Sequence, residues 1–394
     1  MSKKQGIYLN IVIFIIMASI AIIDNTKGIF IPAFKDTFNA TNTSMGFMLT
    51  ACSLGYILFT YIGGILCEKF GQKKVIYIGM VSIIISVIIV AMSKFYSILI
   101  IGMFLINMGI AFVMIGINTL IPVIFVTCQA IMMNIAHCCY GFGSSIGQFS
   151  IGKILENGVS WRSIFIGISV IFIIVLILTS IIKFPVAYNE ADGKISLGLV
   201  FKEKYMYLYA ISLGTYIFAE MGMSNWIVNF LIESYGLSAG KGATILSGFF
   251  FLLTAGRLVG GFIAEKFGYL QSVLISLIIA TILIVGGLVL GSSALPLICI
   301  AGLFFAIAYP TIVTTISKVF TQNTSYITGV ILTLASTISM ILNLLIGRLN
   351  DVIGTSSAFY MIPISLIISI IFVFLIYIGK RNIFQKRGGK NIEK

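Results

Sequence analysis

Apolar residues fall in long runs separated by short polar links. A run of 18 or more residues with few charges reads as a membrane-spanning helix, because about 20 residues at 1.5 Å each cross the hydrocarbon. Twelve such runs are predicted, near residues 8–33, 44–67, 75–93, 97–122, 128–153, 160–183, 205–232, 242–265, 270–290, 294–318, 325–348 and 355–379. Their short links force successive helices to run antiparallel as neighbours. The longest polar stretch, KFPVAYNEADGKISLGLVFKEK at 183–204, divides the runs six and six. The pattern predicts an N-terminal six-helix bundle over 1–183, a flexible cytoplasmic linker over 184–204, and a C-terminal six-helix bundle with a basic cytoplasmic tail over 205–394.

The two bundles share a signature. Residues 63–71 read GGILCEKFG and residues 260–268 read GGFIAEKFG, an offset of 197 residues in a chain of 394. Each copy lies between two apolar runs. Parallel repeats around a central site are a common transporter design, so an all-α polytopic membrane protein built from two pseudo-symmetric halves is expected.

Composition agrees with a bilayer. Hydrophobic residues make up 59% of the chain and charged residues 9%, against roughly a quarter charged in soluble domains. The mean hydropathy is +1.12. A net charge of +13 invites a nucleic-acid partner, but its placement argues against one. With Met1 inside, the inner segments carry 17 Lys and Arg and the outer ones 6. That asymmetry orients a membrane protein, with both termini cytoplasmic, in a cell (plasma) membrane. The start, MSKKQ, precedes an apolar run too long for a signal peptide and lacking a small-x-small cleavage site, so an uncleaved first helix is expected. The six cysteines show no CxxC spacing and read as membrane packing. An Ile- and Lys-rich composition with five Arg hints at an AT-rich bacterial genome.

The stretch Gly64-Ile-Leu-Cys-Glu68-Lys69-Phe-Gly71-Gln-Lys73-Lys74 resembles the loop between helices 2 and 3 of the major facilitator superfamily, with Glu68 where that family generally has Asp. Gly261, Glu265, Lys266 and Gly268 repeat the pattern more weakly. The resemblance implies the major facilitator fold, with 12 transmembrane helices. A finer resemblance, to the fucose permease-like sugar transporters, is carried by Ile23-Asp24-Asn25-Thr26-Lys27-Gly28 in span 1, Asn134-Ile-Ala-His137 and Gly141-Phe-Gly143 in span 5, Tyr216-Ile-Phe-Ala-Glu220 in span 7 and Gly256-Arg257 in span 8. Departures from that group are a span 4 without a carboxylate, and Gln148 and Asn343 where prolines are usual.

Physical chemistry assigns the motif a gating role independently of its name. Glycine near the end of span 2 permits close helix contact, and Gly71 and Gly268 permit tight turns. Glu68 and Glu265 can accept hydrogen bonds from a neighbouring helix N-terminus, while the lysines hold the cytoplasmic face. The alternative is a topology anchor with no gating role. In span 5, Gly141, Gly143, Gly147 and Gly152 with Ser144 and Ser145 form a small face suited to close packing.

Of twelve acidic residues, Asp24 and Glu220 alone sit well inside apolar runs, 196 residues apart and so near repeat-equivalent positions. A charge at mid-bilayer costs ~3 kcal/mol or more unless it meets water, a partner or a proton. The resemblance implies that spans 1, 4, 7 and 10 line a central path, which would put both acids on it. Lys27, three residues after Asp24, can neutralise it as an intrahelical pair, leaving Glu220 as the proton or cation carrier. His137, the single histidine, is either a proton relay or a neutral helix–helix donor. Arg257 needs a partner: Glu220, an anionic substrate group or a backbone carbonyl.

Asn25, Lys27, Asn107, Asn118, Asn134, Asn225, Trp226, Asn229, Arg257, Tyr309 and Asn343 are the substrate-cavity candidates. Amides and an indole suit hydroxyl-rich ligands, since they donate and accept without demanding charge. Trp226 can stack on a sugar face or simply pack. No nucleophile–base set, Walker motif or metal-ligand cluster is found, so an enzyme or ATP-driven pump is not expected, and neither is a cofactor. The expected protein is a monomeric secondary transporter of a small polar, sugar-like solute by proton symport. A proton-coupled exporter of drugs or metabolites is the alternative.

Overall fold

A computed structural model describes residues 3–124, 129–182, 203–320 and 324–380. The expected linker lies almost wholly outside these. The described residues form α-helices and one short 3₁₀ turn, with no strand. Span 1 is two helices, α1 (Lys3–Asp24) and α2 (Lys27–Phe38). Spans 2 to 6 are α3 (Asn42–Phe70), α4 (Gln72–Ala91), α5 (Tyr96–Ile124), α6 (Gln129–Glu156) and α7 (Trp161–Ile181). Spans 7 to 11 are α8 (Lys204–Tyr235), α9 (Ala239–Phe267), α10 (Tyr269–Val289), α11 (Pro296–Val319) and α12 (Thr324–Val352). A single turn, α13 (Thr355–Ala358), precedes the last span, α14 (Met361–Gly379). Ten of the spans are apolar enough to cross a membrane among the described residues; α6 and α8 are as long but carry more polar side chains.

The break in span 1 was not expected. Thr26 Oγ1 donates to the Ile22 carbonyl at 2.6 Å, a back-bond that bends helices, and the Ile29 amide turns to the Thr26 carbonyl at 3.0 Å. The Asn25 carbonyl is thereby released from the helix ladder. Elsewhere the ends follow their sequence signals. Thr41 and Ser160 cap α3 and α7 by accepting the amides of Ser44 and Ser163, each at 3.2 Å. Gly71 and Gly268 adopt φ of 82° and 95°, so each copy of the repeated signature is the same helix–turn–helix.

The chain divides into two compact units. One holds 1–191, 224–247 and 344–357, the other 192–223, 248–343 and 358–394. In the first, α5 packs along α3 and α4, and α6 along α1. A Cβ at Gly55 would stand 2.6 Å from the Phe104 carbonyl oxygen, so α3 and α5 cross backbone to backbone. In the second, Gly256 meets the Leu303 carbonyl at the same 2.6 Å, repeating that crossing between α9 and α11. Aromatic contacts fill the remaining space: Phe30 lies 4.9 Å from Phe165 in the first unit, and Phe249 5.1 Å from Phe305 in the second. On α7, Phe165, Ile168 and Phe172 are buried while Ile166, Val170, Ile173 and Ile177 are exposed. Such an apolar outer stripe is stable only against lipid.

The glycines separate packing from permissiveness. A Cβ at Gly143 would lie 2.6 Å from the Ala18 Cα, whereas one at Gly64 meets nothing within 4 Å. Gly143→Ala should therefore cost ~1–3 kcal/mol through overpacking, and Gly64→Ala should be neutral or stabilising by up to ~1 kcal/mol through helix propensity. Thermal melting of the two variants in detergent checks this; equal melting temperatures would show that the α1–α6 crossing is not tight.

Candidate functional site

The first unit gathers a polar network around Asp24. The small face of α6 lets it lie against α1, where a Cβ at Gly147 would stand 3.0 Å from Ile22 Cγ1. That approach brings two α6 side chains within reach of the break. Tyr140 donates to Asp24 Oδ2 at 2.6 Å, and Gln148 Nε2 donates to the released Asn25 carbonyl at 3.1 Å. Asn25 Nδ2 in turn donates to the Tyr140 hydroxyl at 2.9 Å. Lys27 Nζ donates to Asp24 Oδ1 at 2.7 Å and to Asn107 Oδ1 on α5 at 2.8 Å. The expected Asp24–Lys27 pair thus forms, although across a break rather than along one helix. Gly28 permits a further approach, since a Cβ there would stand 2.7 Å from the Asn225 carbonyl oxygen.

The second unit builds a counterpart around Glu220. Tyr216, one turn earlier on α8, reaches Glu220 Oε2 at 2.8 Å and the Phe305 carbonyl of α11 at 2.7 Å. Arg257 on α9 donates to Glu220 Oε1 at 3.2 Å. Of the three partners open to Arg257, the structure selects the carboxylate. Each acid, Asp24 half-buried and Glu220 buried, therefore has one cation and one tyrosine. Such partners lower the cost of a charge at membrane depth.

A third cluster in the first unit lies at the 38–42 end. Lys35 pairs with Glu233, which also accepts from Thr355, and Lys35 donates to Asn42 Oδ1 at 2.8 Å. Asn229 Nδ2 reaches the same Asn42 oxygen at 3.2 Å. Asp351 accepts the amides of Asn42 at 3.0 Å and Thr43 at 2.6 Å, so a carboxylate from the end of α12 caps the start of α3. Of these charges the sequence reading uses Lys35 alone, as one of the six outer Lys and Arg.

The repeated motif is less engaged. Glu68 and Glu265 are exposed and make no hydrogen bond or ion pair among the described residues. Lys73 donates to the Ile182 carbonyl at 2.7 Å, while Lys69 and Lys266 lie over the rings of Phe70 and Phe267. Lys74, on the first turn of α4, is exposed. The close contact near the end of span 2 is made by Gly63, against Phe112 and Ile115, and in the second unit by Gly260, against Ile307, whereas Gly64 and Gly261 face open space.

Other candidates divide. Trp226 is fully buried, so it packs and is no stacking platform, and Asn229 belongs to the Lys35 cluster rather than to a ligand cavity. Asn343 is buried and donates to the Ser339 carbonyl at 3.1 Å. Asn118 is half-buried, with an oxygen that lacks a hydrogen-bond partner among the described residues. Asn225 and Tyr309 are half-buried, as is His137, three residues before Tyr140. The side chain of Asn134 lies outside the described residues. Tyr140, Tyr216 and Gln148 were missed as site residues; the four-residue spacing of Tyr216 and Glu220 was the one available signal.

Lys27 and Asp24 side chains are 12% and 24% exposed, so breaking their pair strands a largely dry charge. Asp24→Asn should lower stability by roughly 3 kcal/mol, and Asp24→Asn with Lys27→Met should restore most of it. A melting comparison of single and double variants checks this; additive losses would show that the two side chains are not coupled.

Comparison with known proteins bears on the whole chain. It is 22% identical over 393 residues to the L-fucose-proton symporter of Escherichia coli (strain K12), covering 90% of this chain and 89% of that protein. The solved outward conformation of that symporter, FucP, superposes with a TM-score of 0.64 at 20% identity, over 94% of this chain and 99% of that one. The nucleoside transporter NupG superposes at 0.80 and 13% identity, over 95% and 100%. The family model described as Major Facilitator Superfamily matches residues 10–334. With that match over most of its length, the chain belongs to the major facilitator superfamily and is a multi-pass membrane transporter, not an enzyme.

Proposed function

We propose that this transporter moves a small polar, sugar-like solute by alternating access, coupled to protons in symport, in a bacterial cell membrane with both termini cytoplasmic. The observation that carries the reading is the pair of carboxylates inside apolar spans, Asp24 and Glu220, held alike by a cation and a tyrosine on repeat-equivalent helices. Uncharged hydrogen-bonding groups surround them, with Asn25 and Asn107 beside Asp24 and Tyr309 on the helix that meets Tyr216. Such groups match the hydroxyls of a sugar. Similarity along 90% of the chain to a fucose–proton symporter supports both the solute class and the coupling ion. Asp24, Glu220 and His137 are the proton-coupling candidates in this reading, and Lys27 and Arg257 can orient a polar solute.

Reconstituted protein tests it. Proteoliposomes with an alkaline interior should accumulate labelled sugar from a panel of hexoses, hexuronates and nucleosides, and a protonophore should abolish accumulation. Glu220→Gln should lose accumulation while keeping solute exchange, and Asp24→Asn should lose accumulation by leaving Lys27 unpaired. Accumulation by both variants would refute the coupling assignment, and dye efflux without sugar uptake would favour an exporter.

Alternating access requires the 38–42 end to open. Removing the Asp351 cap and the Glu233 pair takes away charge-assisted hydrogen bonds worth roughly 1 kcal/mol net at an exposed site, or about fivefold in population. Asp351→Ala with Glu233→Ala should raise impermeant-maleimide labelling of a Met45→Cys probe, which is buried in the first turn of α3, by about that factor. Unchanged labelling would show that the cluster does not hold this end closed.

A further inference from the structure

The two carboxylates look alike by inventory, but counting hydrogens separates them. Around Asp24 every donor has its own acceptor. Lys27 gives to Oδ1 and Tyr140 to Oδ2, and the Tyr140 oxygen accepts from Asn25. Cys52 on α3 lies in electrostatic range of Asp24 and Lys27, and Tyr56 in range of Tyr140. A proton added to Asp24 would turn one donor away and leave Lys27, 12% exposed, without its counter-charge. This site is complete only with an ionised carboxylate.

Around Glu220 the count does not close in the same way. The Tyr216 hydroxyl has one hydrogen and lies within bonding distance of two acceptors, Glu220 Oε2 at 2.8 Å and the Phe305 carbonyl at 2.7 Å. With Glu220 ionised, the hydrogen serves one and the other faces a bare oxygen. With a proton on Oε2, Glu220 donates to Tyr216, Tyr216 donates to Phe305, and Oε1 still accepts from Arg257. All contacts are then satisfied at once. Arg257 is 28% exposed, so it keeps water as a partner when the carboxyl is neutral, which Lys27 largely lacks. Tyr309, on α11, is also in electrostatic range of both Glu220 and Arg257.

Resting on the proton-symport reading, we propose that Glu220 alone takes up and releases the coupling proton, that Tyr216 is its positioning residue, and that Asp24 stays ionised throughout. The step is a single proton movement. Water delivers a proton to Glu220 Oε2, the Tyr216 hydrogen swings from that oxygen to the Phe305 carbonyl, and release reverses both. Proton uptake thus completes a hydrogen-bonded link from α8 to α11, and proton loss breaks it. The occupancy of Glu220 is read by the helix that carries Tyr309.

Infrared difference spectroscopy of the full chain in phospholipid bilayers, between about pH 9 and pH 5, tests this without a transported solute. Exposed carboxylates titrate near pH 4 and fall largely outside the window. One buried carboxylic-acid band should appear on acidification, be lost in Glu220→Gln and persist in Asp24→Asn, or in Asp24→Asn with Lys27→Met should the single variant not fold. A tyrosine C–O shift should accompany it, vanish in Tyr216→Phe and in Glu220→Gln, and survive in Tyr140→Phe. A band that follows Asp24, no band dependent on Glu220, or a tyrosine signal indifferent to Tyr216→Phe would each overturn the proposal. An intact Glu220 band in protein that accumulates no solute would instead sink the symport reading and leave this assignment standing.

Discussion

A bilayer offers no hydrogen bonds, and that absence governs everything else in this molecule. Backbone groups solve the problem locally, by helix. Hydroxyls solve it by turning back to the preceding turn, as Thr50, Thr60 and Thr254 do. Amides and charges cannot solve it alone and must recruit other helices. Asp24 draws on α2 and α6, and Glu220 draws on α9 with a hydroxyl from its own helix. The polar groups that mark a function in this chain are therefore also the ones that fix how its helices cross.

Those crossings depend on residues with almost no chemistry. Tyr140 and Gln148 reach the span 1 break because Gly143 and Gly147 remove the side chains that would hold α6 away. The break is equally necessary, since an intact helix would have kept the Asn25 carbonyl for its own ladder. Gln148 and Ser224 both use that carbonyl, at 3.1 and 3.4 Å. A proline at 148 would have offered no such donor. The departure from the sugar-transporter pattern is thus matched by a specific bond.

What could be read without coordinates followed the strength of the physical signal. Long apolar runs located the spans, the doubled GGILCEKFG and GGFIAEKFG located matching turns, and the three-residue spacing of Asp24 and Lys27 located an ion pair. Helix faces were harder, because membrane helices are apolar nearly all round and their polar residues do not declare a direction. Burial of Trp226 and the bond from Asn229 to Asn42 are therefore visible only in the fold. Tyr140 and Tyr216 were passed over because an aromatic ring reads as packing and hides its hydroxyl. The Lys35, Glu233 and Asp351 cluster escaped because a charge beside a loop reads equally well as a topology signal.

The two kinds of charge cluster also differ in what they can do. The Asp24–Lys27 pair is largely dry, and separating such a pair costs about 3–5 kcal/mol. The Asp351 cap and the Glu233 pair sit near the surface, where a carboxylate at a helix N-terminus contributes about 0.3–1 kcal/mol. Water replaces such bonds at little cost. A contact that opens and closes repeatedly is better made from several weak, wet bonds than from one strong, dry one. Glu68 carries the same carboxylate chemistry at the other end of α3 and stands exposed to solvent. With weak capping groups at the ends and tightly held charges in the interior, the end contacts are the ones that cost least to separate.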